Sequence, residues 1–419
     1  MNSYKPYKKH IQVIQALVLF TWLCNLGLIF AFWWQNFDQN ALFISFGRLA
    51  GLVAFYLILC QLLMICRIGF IERAFGHDRL SRWHHRNGIV AFSILAVHPV
   101  LIMLGYKQFI FSMLQNYQDI LQALVGYLMF LIIIPISLTI VKKHLRYELW
   151  YGIHFLLYGA IILIFEHQLA NGITMQGAFR MYWQVLFYGV FALVLWYRFI
   201  TPTWRSWRSG FRVERIEQET HDVVSIYIKG NLHARAGQFV IVRFLARGFW
   251  YEAHPFTVSK IMEGHLRITP KAVGDFTSKL PNLPIGTPVL VEGPLGRFCP
   301  DRAGEKPVLL IAGGIGVTPL RTLFEEFPDA KFIYTARSDQ DFALKNELDE
   351  IASRLPAGRQ VDYTTERLTP EYITTVAPDV ANRFVYLCGP PPMMAAVREM
   401  LKSLGVPKKN ILYERFALG

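Results

Sequence analysis

A chain of 419 residues that is 53% apolar and 15% aromatic is too large for one ordinary soluble domain, and its apolar residues crowd into the first half. The net charge of +13 falls mainly between the apolar runs, which points to anionic lipid; the fold context and base-stacking pattern of a nucleic-acid binder are missing. Five cysteines with no CxxC, no CxxCH and no four-cysteine cluster exclude zinc ribbons, iron–sulfur centres, covalent c-type haem and a disulfide framework.

Six apolar segments come first in chain order, at about 11–34, 43–66, 86–105, 120–141, 150–168 and 180–200. Each is near the ~20 residues needed to cross a bilayer. The first is too long for a removable signal peptide and lacks a small-residue cleavage site. Lys5, Lys8 and Lys9 precede it, Arg67, Arg73, Arg79, Arg82 and Arg86 separate the second and third, and Lys142, Lys143 and Arg146 separate the fourth and fifth. Arg205 and Arg208 follow the sixth, so the positive-inside rule puts both termini in the cytoplasm and the chain in the cell membrane.

Two of these segments carry paired histidines: His84 and His98 on one, His154 and His167 on the other. A single membrane histidine is ordinarily polar glue between helices. Two pairs, each spread about 20 Å along a helix, point instead to two stacked bis-histidine haems, His84 with His154 and His98 with His167. A 14-residue step turns a helix by about 320°, nearly back to one side, whereas the 13-residue step leaves about 140° between side chains. An irregularity between His154 and His167 is therefore expected, as a π-bulge or a bend near Gly159. His85 is the rival inner ligand, though it loses the 14-residue phase, and His77 and His144 read as solvated loop residues. Arg48, at the outer end of the second segment, has three readings: an interfacial snorkelling residue, a partner of haem propionates, or a group that polarises an acceptor.

From residue 211 to about 300, strand-like runs at 223–228, 239–244, 266–269 and 289–292 are broken by Gly and Pro and predict a small antiparallel barrel. It carries His254-Pro255-Phe256-Thr257-Val258-Ser259, then Lys271 ahead of Gly274-Asp275-Phe276-Thr277, then Gly293-Pro294-Leu295-Gly296. Beyond it strands and helices alternate. A buried strand at 307–312 runs into Gly313-Gly314-Ile315-Gly316-Val317-Thr318-Pro319, where glycines permit a tight turn and close approach of a pyrophosphate to a helix N-terminus. Strand 331–335 ends at Arg337-Ser338, a place for a nucleotide 2′-phosphate, and strand 384–387 ends at Cys388-Gly389-Pro390. A Gly-rich turn alone is an ordinary strand–helix connection; three strand ends on one crevice make a nucleotide site.

Together these residues resemble the NADPH oxidase and ferric reductase superfamily, with a second half similar to ferredoxin–NADP reductases. The histidine spacings are similar to that family's haem pairs, and His254 through Ser259 resembles its flavin motif HPFTxxS, whose Phe and Thr contact the isoalloxazine. Gly274 through Thr277 is similar to its pyrophosphate turn, with Phe276 in place of Trp. Gly313 through Pro319 and Cys388-Gly389-Pro390 resemble its nicotinamide-nucleotide loops, and Glu414-Arg415-Phe416 its flavin-shielding aromatic. Arg48 aligns with an arginine near the outer haem, whereas the histidine expected four residues after His98 is replaced by Ile102.

The resemblance implies a six-helix transmembrane haem domain at 1–206 with two b-type haems, an antiparallel β-barrel FAD domain at 207–302 and a Rossmann-like α/β NADPH domain at 303–419. Electrons from NADPH would pass through FAD and the haems to O2, giving superoxide, with Cys388, Glu414 and Phe416 shaping the nicotinamide site. A ferric-chelate reductase on the same wire is the alternative, and a nucleotide-sensing haem subunit or transporter is a third, non-enzymatic reading. No obligatory protein partner and no EF-hand loop are evident.

Overall fold

Long apolar runs joined by short polar linkers give the first half its helices. The computed structural model describes residues 4–107, 120–137, 145, 147–170, 176–354 and 360–414. In chain order these form α1 (Tyr4–Gln35), α2 (Leu42–Ile65), α3 (Gly69–Phe75), α4 (His77–Tyr106), α5 (Ile120–Ser137), α6 (Tyr147–Phe155), α7 (Leu157–Ala170), α8 (Gly177–Val194) and, after a π-helical turn at Leu195–Ile200, α9 (Thr201–Ser209). Six helical stretches are long and apolar enough to cross a membrane: His10–Gln35, Leu42–Ile65, Arg79–Tyr106, Ile120–Ser137, Leu149–Ala170 and Gly177–Ser209. They overlay the six expected segments; residues 138–144, 146 and 108–119, with Lys142, Lys143, His144 and Arg146, lie outside the described residues.

The chain divides into two compact units, one spanning Lys9–Ile200 and the other taking in Thr201–Gly419. Aromatic rings fill the core of the first. Phe165 and Phe187 stack with centroids 3.6 Å apart, and Phe55 lies 5.9 Å from Phe165 and 5.8 Å from Trp183. Helices α2 and α4 approach closely because α2 presents glycines. A Cβ on Gly51 would stand 2.9 Å from Nδ1 of His98, and one on Gly47 2.8 Å from Ile102. The expected irregularity between His154 and His167 is present, at Leu156, three residues before Gly159. There the Leu156 amide bonds the Ile153 carbonyl at 3.1 Å and the Gly159 amide bonds Leu156 O at 3.0 Å. Such three-residue turns rotate the chain about 20° per residue faster than an α-helix, which reduces the angle left by a 13-residue step.

The second unit holds two sheets. An antiparallel sheet of six strands has the order β1 (Arg212–Thr220), β2 (Val223–Lys229), β5 (His265–Ile268), β4 (His254–Met262), β3 (Phe239–Phe244), β6 (Val289–Leu295). Its two edges meet at one end, where Arg212 bridges Pro288 and Val289 N donates to Phe211 O at 3.0 Å. Helix α9 packs on β6 through Ser206, whose hydroxyl accepts from Val291 N at 2.8 Å. A short helix, α10 (Asp275–Lys279), follows β5.

The other sheet is wholly parallel, in the order β11 (Ile411–Glu414), β10 (Phe384–Cys388), β7 (Val308–Gly313), β8 (Lys331–Thr335), β9 (Val361–Thr364). Helices α11 (Val317–Glu326), α12 (Lys345–Ser353), α13 (Pro370–Val376) and α14 (Pro391–Ser403) connect its strands. Leu309, Leu310, Ile311 and Ala312 of β7 are fully buried, as a central strand covered on both faces requires.

Candidate functional site

In the first unit the histidines decide the geometry. The rings of His84 on α4 and His154 on α6 lie with centroids 6.3 Å apart and their planes at 66°. An iron bound by both rings through bonds of about 2 Å needs ring centres about 6 Å apart, so this pair fits a bis-histidine haem. The second ring nitrogens are already engaged. His84 Nδ1 donates to Gln61 O at 3.3 Å and His98 Nδ1 to Gly47 O at 2.7 Å. Ser137 Oγ donates to Ile133 O at 2.9 Å, so His154 Nδ1 donates to Ser137 Oγ, also at 2.9 Å. Metal-bound histidines are held this way, with Nε2 left for the iron.

His167 sits in the last turn of α7. His85 is exposed and lies off the His84 face. His77 differs from expectation: it opens α4 and its Nδ1 lies 2.7 Å from the buried carboxylate of Glu72, so it is a paired residue and not a freely solvated one. Arg48 is half-buried beside Gly47, next to the carbonyl that holds His98, and has no hydrogen-bond or ion-pair partner among the described residues.

In the second unit, strand register links the flavin-type motif to the nucleotide-type motif. Thr257 of β4 pairs with Phe239 of β3, and Phe239 pairs with Leu295 of β6. Gly296, the next residue, has positive φ, and a Cβ there would lie 3.6 Å from Oε1 of Glu414. Glu414 pairs with Cys388, and Cys388 with Ala312, one residue before Gly313. A methyl group on Gly316 would stand 2.3 Å from the Cys388 carbonyl oxygen, so only glycine lets the β7 loop cross the end of β10. On Gly313 it would meet Met393 at 2.2 Å and Pro390 at 3.0 Å. Gly314 takes a left-handed φ of 51°, and Gly389 lies against Gly313. Val317, Thr318 and Pro319 are buried at the start of α11, with the Thr318 hydroxyl donating to Ile315 O at 3.0 Å.

Cys388 is fully buried, and its sulfur lies 3.7 Å from Glu414 O. Burial, with the Glu414 carboxylate beside it, pushes the thiol far up, so it stays neutral. Arg415 and Phe416 lie outside the described residues.

The flavin-type residues divide by strand alternation. His254 stacks on Phe276 with centroids 4.0 Å apart and bonds Glu252 through Nε2 at 2.7 Å. Pro255 and Phe256 are half-buried and Thr257 is buried. Phe276 is a core residue that also packs on Phe244 and Phe249, so it anchors the turn from below. The Thr277 hydroxyl accepts from the Val273 and Gly274 amides at 2.9 and 3.1 Å, which closes that turn and presents the first amides of α10, beginning at the exposed Asp275.

Two flavin-type assignments change. Counted from Thr257, the serine of HPFTxxS falls on Lys260, while Ser259 is fully buried and bonds Thr269 and Arg267 at 2.7 and 3.0 Å. Those bonds hold its hydroxyl in the protein interior. Lys271 is salt-bridged to Asp222 at 2.9 Å. Although burial raises Asp222, this lysine outweighs it and holds the carboxyl below its ordinary value. His221, Asp222 and Asp341 bring ligand-grade atoms within 4.8 Å, but the Lys271 ammonium already supplies the cation there.

Arg337 and Ser338 follow β8, whose Thr335 pairs with Gly313. Arg337 is exposed and unpartnered among the described residues, and Ser338 Oγ donates to Asp341 at 2.9 Å. The sequence reading missed Arg367. It follows β9 as Arg337 follows β8, and the neighbouring ends are tied by Ala336 N to Thr364 O at 3.2 Å and Thr335 Oγ1 to Glu366 O at 3.4 Å. The signal available was an arginine three residues beyond a short strand, in a charged stretch that hides the strand.

Residues 50–165 match the family model described as ferric reductase like transmembrane component, and residues 310–399 match the oxidoreductase NAD-binding domain. The first range contains His84, His98 and His154; the second contains Gly313 through Pro319, Arg337 and Cys388. The chain is 27% identical over 246 residues to the glycine betaine monooxygenase reductase subunit of Chromohalobacter salexigens, covering 52% of this chain and 66% of that protein. It is 29% identical over 241 residues to a flavohemoprotein of Pseudomonas putida, covering 51% and 60%. The alignments thus span somewhat under two thirds of these relatives. The flavohem-like FAD/NAD-binding domain of nitric oxide dioxygenase from Vibrio cholerae overlays 49% of this chain and 98% of its own at 23% identity, with a TM-score of 0.43.

A ferric reductase-like transmembrane component ahead of an oxidoreductase NAD-binding domain matches the architecture of the NADPH oxidase and ferric reductase superfamily. The first match lies within the helices long and apolar enough to cross a membrane, and the second within the parallel sheet and its connecting helices.

Proposed function

We propose that the chain is a transmembrane NADPH oxidase, taking electrons from NADPH in the cytoplasm and delivering them to O2 on the far side as superoxide. The observation that carries this reading is the His84–His154 pair, set 6.3 Å apart with both Nδ1 atoms tied to the protein. FAD and two b-type haems, when bound, supply the conversion of a hydride into single electrons and their carriage across the membrane.

The chain's own residues divide the work. The turn Gly274–Thr277 offers its amides to the FAD pyrophosphate, and His254, Pro255, Phe256 and Thr257 wall the flavin side. Gly313 through Pro319 seat the NADPH pyrophosphate, and Arg337 with Arg367 takes the 2′-phosphate, where two cations favour NADPH over NADH. Cys388, Gly389, Pro390 and Glu414 close the nicotinamide end. Cys388 does so as a neutral thiol, which adds no charge beside a hydride donor. His98 with His167 holds the outer haem, and Arg48, uncommitted beside Gly47, faces its propionates or the acceptor.

Basic residues before the first, between the second and third, and after the sixth apolar segment support termini on the cytoplasmic side of the cell membrane. The outer loop 35–42 carries one acidic residue, Asp38, whose Oδ1 already accepts from Asn40 N at 2.8 Å. That leaves no carboxylate cluster there for a metal chelate and favours oxygen.

The test is anaerobic addition of NADPH to detergent-purified protein with FAD, watching the haem bands, followed by air. Haem reduction, then fast reoxidation with superoxide-dismutase-sensitive dye reduction, is expected. Slow reoxidation in air but fast reoxidation by ferric chelate would replace the oxidase with a ferric reductase. Failure of the haems to reduce would break the proposal at its first junction.

A further inference from the structure

Glu347 stands where four elements of the second unit meet, and no motif points to it. It lies on α12 with 15% of its side chain exposed, and three cations converge on its carboxylate. Arg267 Nη2 of β5 lies at 2.6 Å, Arg321 Nη2 of α11 at 2.7 Å and Lys260 Nζ of β4 at 2.9 Å. Arg267 and Arg321 are 3% and 1% exposed. Burial raises the Glu347 carboxyl, but the arginines and the lysine outweigh it and hold it at about 2. Without this carboxylate, buried Arg267 would lose its ion-pair partner, and Arg321 would keep only Glu325, which its guanidinium also grips at 2.7 and 2.9 Å.

The network reaches both ligand-bearing motifs. Arg267 Nε donates to Ser259 Oγ at 3.0 Å, two residues beyond Thr257 on the flavin strand. Arg321 lies one helical turn after Val317, where the nucleotide loop enters α11. A second tie reaches the same helix from the loop before β3, with Gly237 N donating to Thr322 Oγ1 at 3.0 Å. Ser259, Arg267, Glu347 and Arg321 therefore form one continuous run of hydrogen bonds from β4 to α11. This also gives the inward-turned Ser259 a part to play.

We propose that Glu347 is a positioning residue that locks the flavin strand β4 against the nucleotide helix α11, setting the approach of NADPH to the flavin. The proposal rests on the NADPH-reductase reading above. Hydride transfer is steeply sensitive to approach, and a displacement of about 1 Å costs about a hundredfold in rate. A carboxylate gripped by rigid guanidinium forks suits this role, because the contact is directional as well as strong.

The test is Glu347→Gln in the full chain, mixed anaerobically with NADPH over a concentration series while flavin bleaching is followed. The limiting rate should fall by about tenfold or more, with the half-saturating NADPH concentration and the bound FAD per chain changed by less than about twofold. Glu347→Asp should recover part of the rate, since it restores the charge one methylene short. An unchanged limiting rate overturns the proposal, and so does a fall matched by equal loss of FAD, which is the signature of a purely structural tie. If Glu347→Gln does not fold, Lys260→Met keeps both buried arginines paired and serves with the same readout. It should lower the limiting rate by about threefold, and no change overturns the proposal. Native protein whose flavin does not bleach with NADPH would instead defeat the functional reading on which this rests.

Discussion

The two units hold their chemistry-bearing side chains by opposite means. In Lys9–Ile200, His84, His98 and His154 lean on neutral acceptors: the carbonyls of Gln61 and Gly47 and the hydroxyl of Ser137. In Thr201–Gly419 the deepest polar contact is ionic, with Glu347 gripped by Arg267, Arg321 and Lys260. The difference follows from the surrounding medium. A bilayer offers no counter-charge and makes ions expensive, so ligands there are oriented by groups the helices already carry. A soluble unit can bury a charge cluster, provided every member is answered. The first arrangement depends on helix phase and close backbone approach, and the second on side chains that meet only after the sheet and helices have packed.

The largest break of that comparison should come from the neutral side. His154→Ala, or His84→Ala, removes half of a pair that nothing replaces, and haem per chain should fall from two to one by pyridine haemochrome assay, with NADPH-driven electron passage lost. His85→Ala, off that face, should leave both haems in place. Retention of two haems in His84→Ala would shift the inner ligand to His85.

Next comes the crossing of β7 over β10. Gly316→Val forces its side chain into the Cys388 carbonyl and should destabilise the second unit by about 1–3 kcal/mol, read as a lower Tm, with loss of NADPH-dependent flavin reduction. The first unit offers a matched case in Gly51→Ala, which presses a methyl on Nδ1 of His98. A shift in outer-haem potential or electron-paramagnetic signature, with the inner haem unmoved, is expected there. An equal effect on both haems would show that α2 and α4 respond as one rigid pair.

A smaller change tests the charged side. Arg337→Ala and Arg367→Ala should each raise KM for NADPH by about tenfold while leaving NADH use unaffected, as expected for one charge-assisted contact each. An equal rise for both nucleotides would move those arginines away from the 2′-phosphate. The smallest effect is pH-dependent. The Glu347 carboxyl is held at about 2 against an ordinary 4.5, so its contribution to stability is complete above about pH 4.5 and is lost as pH falls toward 2. Glu347→Gln should therefore flatten the acid limb of Tm against pH in that window and not elsewhere.

Much of this was legible before any coordinates. The six apolar runs map onto six helices because bilayer thickness dictates their length. Strands β3 and β8 coincide with the runs read at 239–244 and 331–335, both apolar interior strands. Of the strands without such a run, β1, β9 and β11 are edges of their sheets, while β4 is an interior strand that begins with the His254-Pro255 motif. An edge strand is solvated along one side and keeps charges such as those of Arg212–Thr220, which hide its alternation. The helix break between the two histidines followed from counting turns, although its place, Leu156, did not.

Residue type and spacing determined, by themselves, which side chains could bind iron, which loops could admit a phosphate, and how many times the chain crosses a membrane. These are one-dimensional properties, set by helical pitch, glycine sterics and the cost of polarity in hydrocarbon. Which acceptor orients each histidine, which way Ser259 turns, that Arg367 stands beside Arg337, and that four distant residues converge on Glu347 were decided only by the tertiary structure. Each depends on a contact between elements far apart in the chain, and no local preference encodes the partner of such a contact.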